Sequence, residues 1–328
     1  MPASRKAPEA ARMAPGLPNS HDRERCSGGT EARRLKTYPH PYPSGWYRLA
    51  DSAAIGRGEV RELECFGREF ILRREQTSSD IEISSAAGSH PADEVHGQIL
   101  VYFRDEKANQ DADAEPPYPA ARIAAVDAGQ FVHRGSYDAG RVHMHIVEFA
   151  ENGADYAHFQ PIHGRMRIPW TQIPVPGVRI NHSASWKLDP ERKWVSYFLN
   201  ATQLEIFGKP IEGAGGSAQV MFYGPASMNY FRFRIPKIGE IEMIQSHLPV
   251  RPLEQQVDFR WFADRKIPRL LVSYVVGNWI SQWRRDIGIW ENKIYREVPA
   301  LAANDGPVYR MRRWYRQFLP EPDVRIPP

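Results

Sequence analysis

The chain has 328 residues, 42% hydrophobic and 25% charged, an ordinary globular composition long enough for two domains and a sizeable core. Lys and Arg outnumber Asp and Glu by 43 to 39; residues 1–36 alone hold eight against four, so the rest is balanced and offers no electrostatic case for nucleic acid. The longest apolar stretch, residues 270–280, is short and interrupted by Ser273, Gly277 and Asn278, so no transmembrane span is expected.

Residues 1–36 are rich in Ala, Pro, Arg and Ser and lack the apolar segment of a signal peptide; a disordered basic tail is expected. Cys26 and Cys65 sit in unrelated contexts and make no disulfide framework, which favours a reducing, intracellular setting and leaves peripheral membrane attachment open. Short β runs are expected at 45–49, 60–65 and 69–73, the last two joined by a turn at Phe66-Gly67-Arg68. Residues 75–95 read as a polar loop, 98–103 as a strand and 104–119 as an acidic, proline-ended linker. The boundary there divides the chain into a small β domain, 37–118, and a second domain, 119–328.

The second domain opens with strand-like segments near 122–126 and 142–149. A helix follows over 151–164, with Asn152, Asp155 and His158 recurring every three residues. Strands are expected at 194–199, 202–207, 219–223, 230–235 and 240–247, enough for a large antiparallel sheet, and a long helix over 269–295. The basic-aromatic segment 309–316 is expected to pack its aromatics and solvate its arginines.

Two segments carry candidate chemistry. On a helix, Asp155 and His158 share a face, whereas His158 and His163, five apart, diverge by about 140°. Pro161 between them predicts a kink that swings His163 back toward His158. In the second segment Trp283, Asp286 and Trp290 fall within about 40° of Trp279, which puts a carboxylate inside a tryptophan stripe. A buried carboxylate needs a metal or a cationic partner, and an arginine ion pair is the plainer alternative. Two histidines and one carboxylate (His158, His163 and Asp286) would form the facial arrangement of non-haem Fe(II) oxygenases, with zinc as the competing metal. His143 and His145, alternating on a strand, are a further candidate pair that more simply lines the interior.

The spacing Asn152-x-x-Asp155-x-x-His158-x-x-x-x-His163 resembles the mononuclear-iron motif of Rieske non-haem iron oxygenases. Residues 286–293, Asp305-Gly306-Pro307 and residues 312–318 are similar to the end of the steroid-acting branch, which holds cholesterol 7-desaturases and 3-ketosteroid 9α-hydroxylase oxygenase subunits; residues 42–49 resemble the desaturases. The resemblance implies an α+β fold: a helix-grip (START-like) antiparallel sheet catalytic domain preceded by a truncated Rieske-type small β domain. It implies mononuclear Fe(II) on His158, His163 and Asp286, with Asp155 orienting His158 and relaying electrons between subunits of a trimer, and Asn152 beside it. It also implies O₂, a sterol substrate and an NAD(P)H-linked reductase.

The [2Fe–2S] cluster of that family needs a Cys-x-His and a Cys-x-x-His pair. Cys26 is followed by Ser27 and Gly28, and Cys65 by Phe66, Gly67 and Arg68, so neither pair exists. Residues 75–97, where the cluster loops belong by the resemblance, hold His90 and His96 but no cysteine. Three readings follow: a cholesterol 7-desaturase-like enzyme served by a cluster-bearing partner subunit, a non-catalytic sterol- or lipid-binding protein, or a spliced product of a desaturase gene.

Overall fold

The computed structural model describes residues 33–105, 115–302 and 305–320. The expected tail up to residue 32 and most of the 104–119 linker lie outside them. Residues 33–35 are helical, and Arg34 is buried, donating to the carbonyls of Trp290 (2.7 Å) and Lys293 (3.0 Å). The tail prediction therefore ran too far.

Two small sheets begin the chain. Strands β2 (Val60–Cys65), β3 (Arg68–Arg74), β4 (Ile81–Ser85) and β5 (Gly88–His90) form one in that order; β1 (Gly45–Asp51), β7 (Gln98–Phe103) and β6 (Ala92–Val95) form the other. The predicted loop over 75–95 thus holds three short strands. They are polar because one face meets solvent, while Ile83 on the other packs with Phe70 and Leu72. The β2–β3 hairpin turns on two residues, Phe66 and Gly67, both at positive φ, the geometry that matches strand twist. Phe66 tolerates this because its ring is buried and stacked on Phe103 at 4.0 Å. Cys65 beside it is fully buried, which pushes its thiol up to about 12 and leaves it inert.

The large sheet has eight antiparallel strands: β8 (Val132–Val142), β9 (Arg165–Arg167), β10 (Pro174–Leu188), β11 (Val195–Ile206), β12 (Lys209–Tyr223), β13 (Met228–Ile235), β14 (Gly239–Arg251) and β15 (Glu254–Ala263). Their order is β8-β15-β14-β13-β12-β11-β10-β9. Apart from the edges, each strand pairs with its sequence neighbours through short turns, the simplest way to build an antiparallel sheet. In β15, Gln255, Val257, Phe259 and Trp261 alternate inward, as a sheet with one covered face requires.

The covering helices are α1 (Ala124–Asp127), α2 (Val147–Ala154), α3 (Phe159–His163), α4 (Arg269–Trp290) and α5 (Val308–Tyr315). The strand-like readings of 122–126 and 142–149 are therefore corrected: α1 begins in the first, and the second runs from the end of β8 through an irregular segment at 143–146 into α2. Off a strand, His143 and His145 do not pair; His143 is exposed, and His145 is buried and stacked on Tyr38. Helix α4 sets Trp279 on Phe231 (4.7 Å) and Trp283 edge-on to Phe259 (5.1 Å), which lays the tryptophan stripe against the sheet as read from its period. Among the described residues no helix is long and apolar enough to cross a membrane.

Candidate metal centre

The stretch 151–164 is not one helix. Helix α2 stops at Ala154; Asp155, at φ −85° and ψ 77°, leaves the helical region; a 3₁₀ turn, Tyr156–His158, then leads into α3. The chain is redirected at Asp155, not at Pro161 as predicted. Pro161 sits in the first turn of α3, where its missing N–H leaves no hydrogen bond unmade. The redirection brings the His158 and His163 rings to 5.3 Å between centroids.

Asp286 on α4 completes the group. One ligand atom each from His158, His163 and Asp286 lies within 4.8 Å of the others, and among the described residues these three form the cluster able to hold a metal ion. His163 and Asp286 are 3% and 4% exposed, so the cluster lies inside the protein.

Hydrogen bonding turns both imidazoles the same way. His158 Nδ1 donates to the backbone carbonyl of Asp155, and His163 Nδ1 donates to Gln282 Oε1 at 3.3 Å. Both Nε2 lone pairs are thereby presented to the cluster. His158 Nε2 is buried without a partner, and burial pushes the His158 imidazole down to about 4, so it is neutral at physiological pH, as a metal ligand must be. His163 Nε2 lies 3.1 Å from Asp286 Oδ1, yet that oxygen makes no aligned hydrogen bond. Two acceptors this close need a cation or a proton between them, so the donor set fits a metal ion. Asn152 Nδ2 donates to the other oxygen, Asp286 Oδ2, at 3.4 Å.

The arginine pairing offered as the plainer partner for Asp286 is not what surrounds it; His163 and Asn152 are. The Asp155 carboxylate lies 3.8 Å from His158 Nδ1, while its own backbone carbonyl holds the ring, and burial raises its pKa. Gln282 was missed, although it stands four residues before Asp286 and so shares its helix face.

A buried charge network braces the elements carrying these ligands. Glu151 on α2 binds Lys293, just past α4, at 2.9 Å and Arg312 on α5 at 2.7 Å; Lys293 also binds Glu148 at 2.7 Å. Burial opposes the charge of Glu151, but Lys293 and Arg312 outweigh it and hold its carboxyl below the usual range. Of the arginines in 309–316, Arg310 and Arg313 are exposed as expected, but Arg312 is 1% exposed, which corrects the expectation for that residue. Burial and pairing are not readable from a run of basic residues.

A cavity of about 290 Å³ opens beside the cluster, with Phe149, Phe159, Phe198, Phe222, Trp279 and Trp283 among its walls and His163 and Asp286 at its edge. That size and lining suit an apolar small molecule. Elsewhere, His90 bonds Ser85 and packs on Phe70 within its own sheet. His96, in the turn between β6 and β7, accepts from the Ile123 amide and packs edge-on to Phe262 of β15, tying its sheet to the large one.

The family model of the 3-ketosteroid 9α-hydroxylase C-terminal domain matches residues 108–319, well over half of the chain. The chain belongs to this family. A cholesterol 7-desaturase of Hemicentrotus pulcherrimus is 26% identical, over 88% of this chain and 72% of its own length. That alignment runs over 348 positions although this chain has 328 residues, so the relative carries segments absent here. The oxygenase component of a Rhodococcus rhodochrous 3-ketosteroid-9-alpha-monooxygenase is 26% identical over 53% of this chain and 45% of its own. In fold the chain is similar to dicamba monooxygenase bound to 3,6-dichlorosalicylic acid, with a TM-score of 0.57 at 13% identity, covering 86% of this chain and 98% of that one. The 3-ketosteroid 9α-hydroxylase family therefore places this chain in the steroid branch of the Rieske-type oxygenases, among oxidoreductases of steroid and cholesterol metabolism, without the cluster-binding Cys-x-His and Cys-x-x-His pairs.

Proposed function

We propose that the chain is the mononuclear-iron half of a sterol-oxidising system resembling cholesterol 7-desaturase, with His158, His163 and Asp286 as the iron ligands. The observation that carries this reading is the convergence of three ligand atoms, two of them (His158 Nε2 and Asp286 Oδ1) buried without a partner among the described residues, with His163 and Asp286 lining an apolar cavity. Fe(II) held there would supply O₂ activation with electrons originating in NAD(P)H. The chain's own residues hold and orient. Gln282 and the Asp155 carbonyl aim the two imidazoles, Asn152 steadies Asp286, and the phenylalanine walls keep water from the reacting carbon.

On this reading α4 across the eight-stranded sheet is a helix-grip (START-like) arrangement. Residues 37–118 are the remnant of a Rieske-type domain, and residues 119–328 are the catalytic domain. Electrons come from a cluster-bearing subunit in a mixed trimer, and Asp155 is the relay at that junction. The test is to load the purified chain with iron, mix it with a cluster-bearing relative and a reductase, and assay cholesterol for a dehydrogenated product. Metal analysis should find iron without sulfide; zinc would fill the same ligands without the redox chemistry. No product from a confirmed mixed assembly whose partner is competent alone would overturn the reading.

The missing cluster ligands favour one rival, a non-catalytic sterol-binding protein that keeps the cavity. It requires sterol affinity to survive changing His158 and His163 together to Ala, and loss of binding in that variant counts against it.

A further inference from the structure

The cavity wall carries four amides, Asn152, Asn200, Asn278 and Gln282. Asn152 and Gln282 are turned toward Asp286 and His163. Asn278 and Asn200 each keep a buried Oδ1 that makes no hydrogen bond among the described residues. The Asn278 side chain is half-buried on α4, whereas Asn200 is the more deeply buried of the two and its amide is held by His182. Asn200 is 5% exposed, sits on β11 directly between Ala184 on β10 and Ala218 on β12, and these short neighbours leave its amide open to the cavity.

Its orientation follows from a chain of hydrogen bonds that starts at a candidate ligand. His182 Nε2 lies 3.4 Å from the backbone carbonyl of His163, which can only accept, so Nε2 carries the hydrogen. The opposite nitrogen, Nδ1, is then a lone pair, and it lies 3.0 Å from the Asn200 amide nitrogen, which donates to it. One of its two amide hydrogens is so engaged, which fixes the orientation of the group and turns Oδ1 into a buried acceptor that no group among the described residues satisfies. A buried acceptor left without a donor is costly, so the occupant of the cavity must bring one.

We propose that Asn200 Oδ1 is the specificity determinant that selects a substrate bearing a hydroxyl over the corresponding ketone. A hydroxyl donates to Oδ1, and its oxygen can accept in turn from the unpartnered indole N–H groups of Trp279 or Trp283 in the same cavity. A ketone can accept from the indoles or from the second Asn200 N–H, but it has no hydrogen to donate and leaves Oδ1 unsatisfied. The inference rests on the reading of this cavity as the substrate site, and it distinguishes the two steroid chemistries named by the relatives: an alcohol fits and a 3-ketone does not. Because His182 links Asn200 to His163, the recognised hydroxyl lies on the side of the cavity that holds the candidate ligands.

The test is direct binding to the full chain, read by quenching of tryptophan fluorescence. Two series are titrated: cholesterol, its 3-ketone and its 3-O-methyl ether, and the smaller 2-decalol and 2-decalone. The alcohol should bind about tenfold more tightly than the ketone or ether, the value of one hydrogen bond to a buried acceptor, and Asn200→Leu should bring them within about twofold. The comparison of alcohol, ketone and ether is made on the unaltered chain, so it can overturn the proposal even if Asn200→Leu does not fold. Asn278→Leu, which should keep the preference, separates Asn200 from the other buried amide oxygen in the cavity. Equal binding of alcohol and ketone in both series, or a preference that persists in folded Asn200→Leu, overturns the assignment. If the steroids fail to bind while decalol is preferred over decalone, the sterol reading falls and Asn200 stands. If no probe binds, both fall.

Discussion

Each of the two candidate histidines uses Nδ1 to hold its ring and keeps Nε2 for the cluster, so Gln282 is as much part of the centre as the residues it aims. Gln282→Leu should lower iron affinity about 10–100-fold with little change in overall stability, measured by anaerobic competition with a chelating dye; unchanged affinity would remove Gln282 from the site. Residue-scale chemistry also sets the acid limit. Burial pushes His158 down to about 4 and His247 down to about 3, from an ordinary 6.5. Both are neutral when folded, and the unfolded chain takes up their protons first. Their stabilising contribution is therefore complete above about pH 6.5 and is lost as pH falls toward 4 and then 3, at about 1.4 kcal/mol per pH unit for each. Urea midpoints measured from pH 7 to pH 4.5 should fall, and should fall less steeply in His247→Gln; parallel profiles would refute this. The burial of Asp286 was legible in the tryptophan period. The role of Gln282 was not, because spacing along a helix says which residues share a face but not which atom across the gap they meet.

Among the elements, helix α4 and strands β12–β14 announced themselves through their periods, whereas the expected strands 194–199 and 202–207 are the single strand β11, and β10 and β15 were not singled out. The broken turn at 155–158 did not announce itself: proline was the visible breaker, whereas the chain is turned at an aspartate by the packing around it. That packing includes Gly306, where a Cβ would come within 1.8 Å of the Ala154 carbonyl oxygen, the last turn of α2. Gly306→Ala must therefore displace backbone, and a cost of about 1–3 kcal/mol in denaturant unfolding together with weakened metal binding is expected. A stable variant with full metal affinity would show that α5 and its approach do not position α2. The charge network makes a sharper demand on the same elements. Arg312→Met leaves Glu151 with Lys293 alone and should cost about 3–5 kcal/mol, while Glu151→Gln with Arg312→Met together should cost less than the sum of the two singles. Additive losses, measured by urea denaturation, would mean that the two side chains do not act as a pair.

At the scale of the whole molecule, the small sheets are not an appendage. Trp46 and Tyr102 belong to the core of the large sheet, and the backbone amides of Phe66 and Gly67 donate to the carbonyls of Pro249 and Val250 at the end of β14. A boundary drawn from composition at the acidic linker could not show this, since contacts between distant segments leave no local trace in sequence. The sealed thiol of Cys65 turns that attachment into a clock. In a Cys26→Ser background, a thiol reagent reaches Cys65 only while β2 is detached, and the labelling rate relative to a free thiol reads the equilibrium of that opening. If the small sheets open only with the rest, the opening free energy equals that of global unfolding from denaturant. A much smaller value would mean that the front of the chain detaches by itself, as a surface awaiting another subunit would.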